Sequence, residues 1–343
     1  MQKTKTIFFL ISGSILLVLC LLLNISLGSV SIPLGEIWDG IMFDSWQKAS
    51  REQIVLHYRL PKALVAIFAG IGLSLSGLQM QTFFRNPLAG PFVLGISSGA
   101  GLGVAILILA GSAFGFVVSG GGLSPWAIVF SGTIGAGLVL ILVSLVAWKV
   151  RDSMTLLIVG LMFGSAVSAV VSVLSYFSGA EALKLFTIWS LGSLGGLGWM
   201  QVNILGLVIL VGILPLLLSV KSFNAMLMGE RYAQSMGINP ERLRWQMILS
   251  TGLLAGSITA FCGPIAFVGI AVPHLARMLT KTADHRVLFP VSGLIGAILL
   301  LLCDTLGQLP GSAQTLPINA VTSLIGAPIV IGLVLRKNFS KEF

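Results

Sequence analysis

Charge is what this sequence has least of. Only 9% of its 343 residues are Asp, Glu, Lys or Arg, against about 25% in an ordinary soluble domain. No charged residue occurs between Arg85 and Lys149, between Lys184 and Lys221, or between Arg244 and Arg277. Water cannot solvate tracts of that kind, so a soluble globule is excluded. Cysteine and histidine are nearly as scarce. Cys20, Cys262 and Cys303 share no C-x-x-C spacing, and His57, His274 and His285 are scattered. That argues against a disulfide scaffold and a metal centre, and the cysteines read as small packing residues. Catalytic signatures are missing too. There is no H-E-x-x-H, no pair of placed carboxylates, and no Gly-Lys dipeptide from which a phosphate-binding P-loop could be built. No enzymatic activity and no cofactor are expected, and energy from ATP would have to come from another subunit.

What the sequence has in abundance is apolar residues, 56% of the chain, with a mean hydropathy of +1.02. At about 20 residues per crossing, ten spans are expected, near 7–27, 61–83, 92–110, 126–148, 154–177, 201–220, 245–262, 265–280, 287–306 and 317–335. The fold expected is all-α and integral to the membrane, a single transmembrane domain over 1–343. The run Ile7 to Leu27 follows Lys3 and Lys5 and is long enough to span, with no convincing cleavage site after it, so it reads as an uncleaved first span. An inside N-terminus puts fifteen Lys and Arg on the cytoplasmic side and leaves Lys48, Arg51, Arg59, Lys62 and Lys184 outside. By the positive-inside rule both termini are then cytoplasmic. The net charge of +9 reflects this bias and carries no nucleic-acid signature.

Two Gly-Pro pairs interrupt the apolar sequence, Gly90-Pro91 and Gly263-Pro264, with Gly95 and Gly269 a few residues on. Backbone freed inside a bilayer must be satisfied by protein or by a water-filled cavity. Broken helices at corresponding points of two halves point to a transport path. The pairs follow spans 2 and 7 on opposite faces, as inverted repeats over spans 2–5 and 7–10 would place them. Among the polar segments, 28–60 and 178–200 fall outside, the latter as a re-entrant or surface helix. Residues 221–244 form the longest cytoplasmic loop. There Leu227, Met228, Gly229, Glu230 and Ala233 read as a short helix, Gly237 as a break, and Asn239-Pro240 as the cap and first position of the next helix. Exposed Met226, Leu227, Met228 and Met236 would suit a protein partner.

Seven motifs carry a family resemblance: RLPK at 59–62; GIGLSLSGLQMQTFFRNPLAGPFVLGISSGA from 70 to 100; WSLGS at 189–193; MGERYAQSMG at 228–237; GPIAFVGIAVPHLAR at 263–277; DHR at 284–286; and IGAPIVIGL at 325–333. In this order across ten spans the chain resembles the permease subunits of type II ABC importers, the iron-siderophore, haem and vitamin B12 family (FecCD/BtuC-like). The resemblance implies a homodimer or pseudo-symmetric heterodimer in the bacterial inner membrane. Two ATP-binding subunits dock below on Leu227, Met228, Gly229, Glu230, Ala233 and Gly237, and a periplasmic or lipid-anchored binding protein docks above on Arg59 and Lys62. It puts the cytoplasmic gate at Asn86, Leu88, Ser153 and Met154, where Asn86 would cap the helix restarting after Pro87 and Leu88 would plug the neck. Gln308, Thr315 and Asn319 stand where the family usually has Arg, Glu and Gly, which puts a third basic docking contact in doubt. Asp304 is the one acid inside a span, poised for outer water, a helix cap or a proton relay. The function expected is import of an iron chelate, a ferric siderophore, with haem or vitamin B12 as alternatives. An ion-coupled secondary transporter is the rival of another class.

Overall fold

The computed structural model describes residues 2–111, 124–149, 153–308 and 314–335. Arg151, Arg336, Lys337 and Lys341, which entered the orientation argument, lie outside the described residues. The regular structure among the described residues is helical. In chain order it runs α1 (Gln2–Ser26), α2 (Leu34–Phe43), α3 (Ala49–Phe83), α4 (Ile96–Ala110), α5 (Pro125–Lys149), α6 (Ser153–Phe177), α7 (Ala180–Ser190), α8 (Trp199–Leu218), α9 (Val220–Met226), α10 (Glu230–Ser235), α11 (Pro240–Cys262), α12 (Val268–Thr280), α13 (His285–Gly307) and α14 (Ile318–Val334). Among the described residues, seven helices are long and apolar enough to cross a bilayer, and α4, α12 and α14 are shorter apolar helices. The ten coincide with the ten expected spans.

The short helices explain the Gly-Pro pairs. At 1.5 Å per residue the 13 residues of α12 reach about 20 Å, short of the roughly 30 Å hydrocarbon core. A break in the α-helix precedes both α4 and α12. Gly95 caps α4 in the left-handed region at φ 72°. In the second half that conformation falls on Phe267, the N-cap of α12, at φ 66°. Gly269 instead lies inside α12, where a Cβ would sit 2.7 Å from Cδ of Pro91. The two broken segments therefore pack against each other.

The halves interlock. α3, which opens the first half, packs on α12 and α13 of the second, and α11, which opens the second, packs on α4 and α5 of the first. That reciprocal exchange is the arrangement inverted repeats require. Glycine sets the closeness. A Cβ on Gly77 would collide with the Gly269 carbonyl, and Gly70 and Gly296 meet backbone to backbone where α3 crosses α13. Lipid offers no hydrophobic drive between helices, so such contacts rest on dispersion at short range.

One boundary differs markedly from expectation. α3 begins at Ala49 rather than 61, with a π-helical turn at Ile54–Arg59, so RLPK lies within a helix rather than at its entrance. Residues 180–190 form a discrete helix within the 178–200 segment, as expected.

Candidate functional site

At the end of the bundle that holds 221–244, the last turns of α3 carry Gln79, Gln81 and Thr82, all buried. The Gln79 amide donates to Oγ of Ser250 at 3.2 Å and Oγ1 of Thr251 at 2.9 Å, tying α3 to α11. Gln81 donates to the Ile270 carbonyl at 3.1 Å and accepts from Arg277 at 2.7 Å, tying α3 to α12. The chain then turns sharply, with Arg85 at φ 49°. Asn86 does not cap a restarting helix. Its Oδ1 accepts from the Leu88 N–H at 2.9 Å, closing an Asx turn, and the next helical residues begin only at Pro91. His274 of α12 meets the Pro87 carbonyl at 3.0 Å through Nε2. The turn is thus anchored from α12, while Leu88 remains 43% exposed and free to form a plug. Ser153 opens α6, and Met154 is exposed beside it.

The loop 221–244 has the expected outline. α10 is short, Gly237 breaks it at φ 79°, and Asn239 caps α11 by accepting from the Arg242 N–H at 3.1 Å. Met228, Tyr232 and Met236 project outward. Met226 and Ala233, expected at a partner surface, are buried instead. They hold the loop to the bundle: α9 packs on α3 and α13, and the Ile238 N–H closes back on the Ala233 carbonyl at 3.0 Å. Between α10 and α11 a cleft of about 520 Å³ is lined by Glu230, Gln234, Gly237, Ile238, Asn239 and Glu241 among others. Gly229, at φ 109°, lies where a Cβ would come 3.6 Å from the Arg85 guanidinium. The loop and the Asn86 turn are therefore neighbours.

At the opposite end the structure corrects the docking surface. Arg59 is buried, not presented to solvent. Its guanidinium donates to the carbonyls of Ile25 at 2.6 Å, Ser26 at 2.9 Å and Val30. These belong to the end of α1 and the turn beyond it, where carbonyls lack intrahelical partners and favour a cation. Lys62 is only partly exposed, and its Nζ lies 2.8 Å from Oδ1 of Asp304. Asp304 neither reaches outer water nor caps α14. It is 5% exposed and also accepts from the amides of Asn24 at 2.9 Å and Gln308 at 2.7 Å. Lys62 supplies the charge and Gln308 a neutral donor, which explains how the helix end tolerates losing the family's Arg. Asn319 is explained too: its Oδ1 accepts from the Ala266 N–H at 3.0 Å, satisfying backbone freed by the second Gly-Pro break. Thr315 is exposed and lines, with Lys62, Ser193 and Asp304, a cleft of about 300 Å³ between the 188–194 segment and the start of α14.

The polar residues Gln81, Thr82, His274 and Arg277 escaped the sequence reading. Their signal was present as QMQT at the end of an apolar span, but their partners are distant in sequence.

Comparison with known proteins agrees with this architecture. The family model for the FecCD transport family matches residues 16–336. The vitamin B12 import system permease protein BtuC of Salmonella paratyphi A is 32% identical over 339 residues, covering 98% of this chain and 97% of that protein, and BtuC of Salmonella typhi matches equally. A solved structure described as an inward-facing conformation of a metal-chelate type ABC transporter aligns with a TM-score of 0.82 at 31% identity, covering 95% of this chain and 98% of that one. PsaBC from Streptococcus pneumoniae in complex with Fab aligns at 0.54 and 16% identity over 90% of this chain and 98% of that one, a likeness of fold alone. A family match over nearly the whole chain, on a bundle of ten apolar helices with a broken helix in each half, leads to one conclusion: the chain belongs to the FecCD transport family, the membrane permeases of ABC importers.

Proposed function

We propose that the chain is the permease of an ATP-driven importer for a bulky metal chelate, working as a pair of permease copies, identical or homologous, with two ATP-binding subunits and a binding protein on the outer face. The observation that carries this reading is the juxtaposition of Gly229 and Arg85. It brings the exposed Met228, Tyr232 and Met236 surface, suited to a partner, against the turn that holds Leu88. Motion of an ATPase seated in the cleft between α10 and α11 would reach the neck over a few ångströms. α6 supports a path on the pair's axis. It is largely exposed in one copy, and Ser165, Ser168 and Ser172 form an uncharged hydroxyl stripe along it, each bonded to its own helix at 2.9–3.1 Å. Such a wall is weakly polar without gripping a charge.

Vitamin B12 is the cargo named for the curated relatives, and it stands beside a ferric siderophore as the leading assignment. Both are large chelates that such a wall would pass, with the binding protein selecting between them. The permease then resides in the inner membrane with both termini cytoplasmic and has no ATPase site of its own.

Substitution of Gly229 and Gly237 by Trp tests the coupling. Both glycines hold positive φ, so any side chain there is strained by about 1–3 kcal/mol, and the indole would also fill the ATPase seat. Uptake should collapse while the permease stays in the membrane. Normal uptake by both variants would remove the loop from the mechanism.

A further inference from the structure

The DHR motif at 284–286 has no role in the mechanism so far, yet its histidine is completely buried where three elements meet. Asn224 of α9 donates through Nδ2 to Oδ1 of Asp284 at 2.6 Å, which fixes the orientation of its amide. Its Oδ1 then faces two donors of residue 285, the backbone N–H at 2.8 Å and ring Nδ1 at 2.8 Å. The ring must therefore carry its proton on Nδ1, because two acceptors would otherwise meet. Nε2 is left as an acceptor, and Oγ1 of Thr82 stands 2.8 Å away to donate. The Thr82 hydroxyl also lies 3.0 Å from the Leu78 carbonyl of its own helix, but only its donation to Nε2 leaves the buried imidazole satisfied, and the donors then run in one direction from Thr82 through His285 to Asn224. Phe223 stacks on the imidazole at 5.6 Å between centroids, and Phe289 packs against both rings, 5.2 Å from the imidazole and 5.7 Å from Phe223. The buried ring is thus tied to α9 by its Asn224 bond and by the Phe223 stack.

Each end of this chain of bonds matters. Asn224 lies three residues before Leu227, at the base of the loop. Thr82 lies one turn before Asn86, in the last turn of α3. We infer that Thr82, His285 and Asn224 form a positioning relay that carries displacement of the 221–244 loop to the end of α3, and so to the turn holding Leu88. The inference rests on reading that loop as the ATPase contact. Physically, a fully satisfied buried network moves as a unit, because separating any one bond strands a polar atom away from water. Thr82 would be dragged with α9, and the Asn86 turn with Thr82. His285 is a positioning residue here, acting through Thr82 and Asn224 and touching no cargo.

The test uses the complete importer, permease with its ATPase and binding protein, reconstituted in proteoliposomes. Cyanocobalamin and an iron-radiolabelled hydroxamate siderophore serve as cargo, and ATP hydrolysed per cargo delivered is the readout. Thr82→Val keeps the shape and removes the hydroxyl, while Thr82→Ser keeps the hydroxyl. Thr82→Val should hydrolyse ATP at close to the normal rate and deliver about fivefold less cargo per ATP, the lower end of typical coupling energies. Thr82→Ser should behave as the native protein. Asn224→Leu should uncouple to the same degree, and adding Thr82→Val to it should do no further harm, since both break one unit. Three results would overturn the relay: normal cargo per ATP in Thr82→Val and Asn224→Leu, equal impairment by Val and Ser at 82, or loss of hydrolysis and delivery in equal proportion with reduced assembly. Should Thr82→Val fail to assemble, the Asn224→Leu ratio decides alone. Gly229→Trp, assayed in parallel, separates the two ideas. If it uncouples while Thr82→Val and Asn224→Leu do not, the loop reading stands and the relay falls. If none uncouples, both fall.

Discussion

Arg59 offers the sharpest stability prediction, because two readings of one side chain forecast opposite outcomes. The structure spends its guanidinium on three carbonyls, those of Ile25, Ser26 and Val30, at the end of a membrane helix where water does not compensate. Arg59→Met keeps much of the stem's packing and deletes the donors. Each buried acceptor left unpaired costs about 1–3 kcal/mol. Val30 is itself exposed, so its carbonyl has other options, and the Ser26 carbonyl keeps the Ile32 N–H at 3.1 Å, so the Ile25 carbonyl dominates. The loss is then about 1–3 kcal/mol. Gly28 sharpens the expectation. A Cβ there would stand 2.7 Å from the guanidinium, so the turn after α1 is shaped around this one side chain. Thermal unfolding in detergent, with loss of monodisperse protein as the readout, should drop clearly for Arg59→Met and more for Arg59→Glu, whose carboxylate would face the same carbonyls. Association of the surviving folded protein with the binding protein should keep its affinity and salt dependence. Native-like stability of Arg59→Met, together with weakened salt-sensitive association, would refute the capping role and restore Arg59 as a docking cation.

Lys62→Met should destabilise the permease by about 3 kcal/mol, since it strands the buried Asp304 carboxylate, and Lys62→Met combined with Asp304→Asn should recover most of that loss in the same melting assay. Asn319→Ala orphans the Ala266 N–H and should cost about 1–3 kcal/mol, read as lower thermal stability without a change in cargo preference. Supplying the same permease and ATPase with binding proteins of different chelate specificity should change what is imported. Rejection of every non-native chelate delivered this way would place selection in the permease instead.

The number and order of spans were legible because hydropathy is a property of composition over about 20 residues, and ten apolar runs survive any detail of packing. Gly-Pro placement also carried through, since a break within an apolar run leaves few structural options. The backbone outline of the 221–244 loop was legible in Asn239, Pro240 and Gly237, whose preferences are local. Side-chain direction was not legible. The charge bias made Arg59 an outward cation, whereas the carbonyls that claim it lie 29 to 34 residues earlier. Met226 and Ala233 looked like partner surface because a short loop helix shows no periodicity long enough to reveal its buried face. Gln308 and Asn319 registered as departures from a pattern, but their partners Asp304 and Ala266 emerge only when α13 and the second break fold beside them. The Thr82 and His285 pair is separated by 203 residues, beyond the reach of any local rule.

ATP hydrolysis, coupled through 221–244, is the proposed drive of this permease. The most direct measurement is chelate accumulation in proteoliposomes holding permease, ATPase and binding protein, with cyanocobalamin and a ferric hydroxamate siderophore as cargo. Accumulation of one of them should require ATP, vanish when the ATPase carries an inactivated P-loop lysine, and continue when an uncoupler collapses the proton gradient. Accumulation that survives the dead ATPase and disappears with the uncoupler would rule out an ATP-driven importer and identify an ion-coupled transporter.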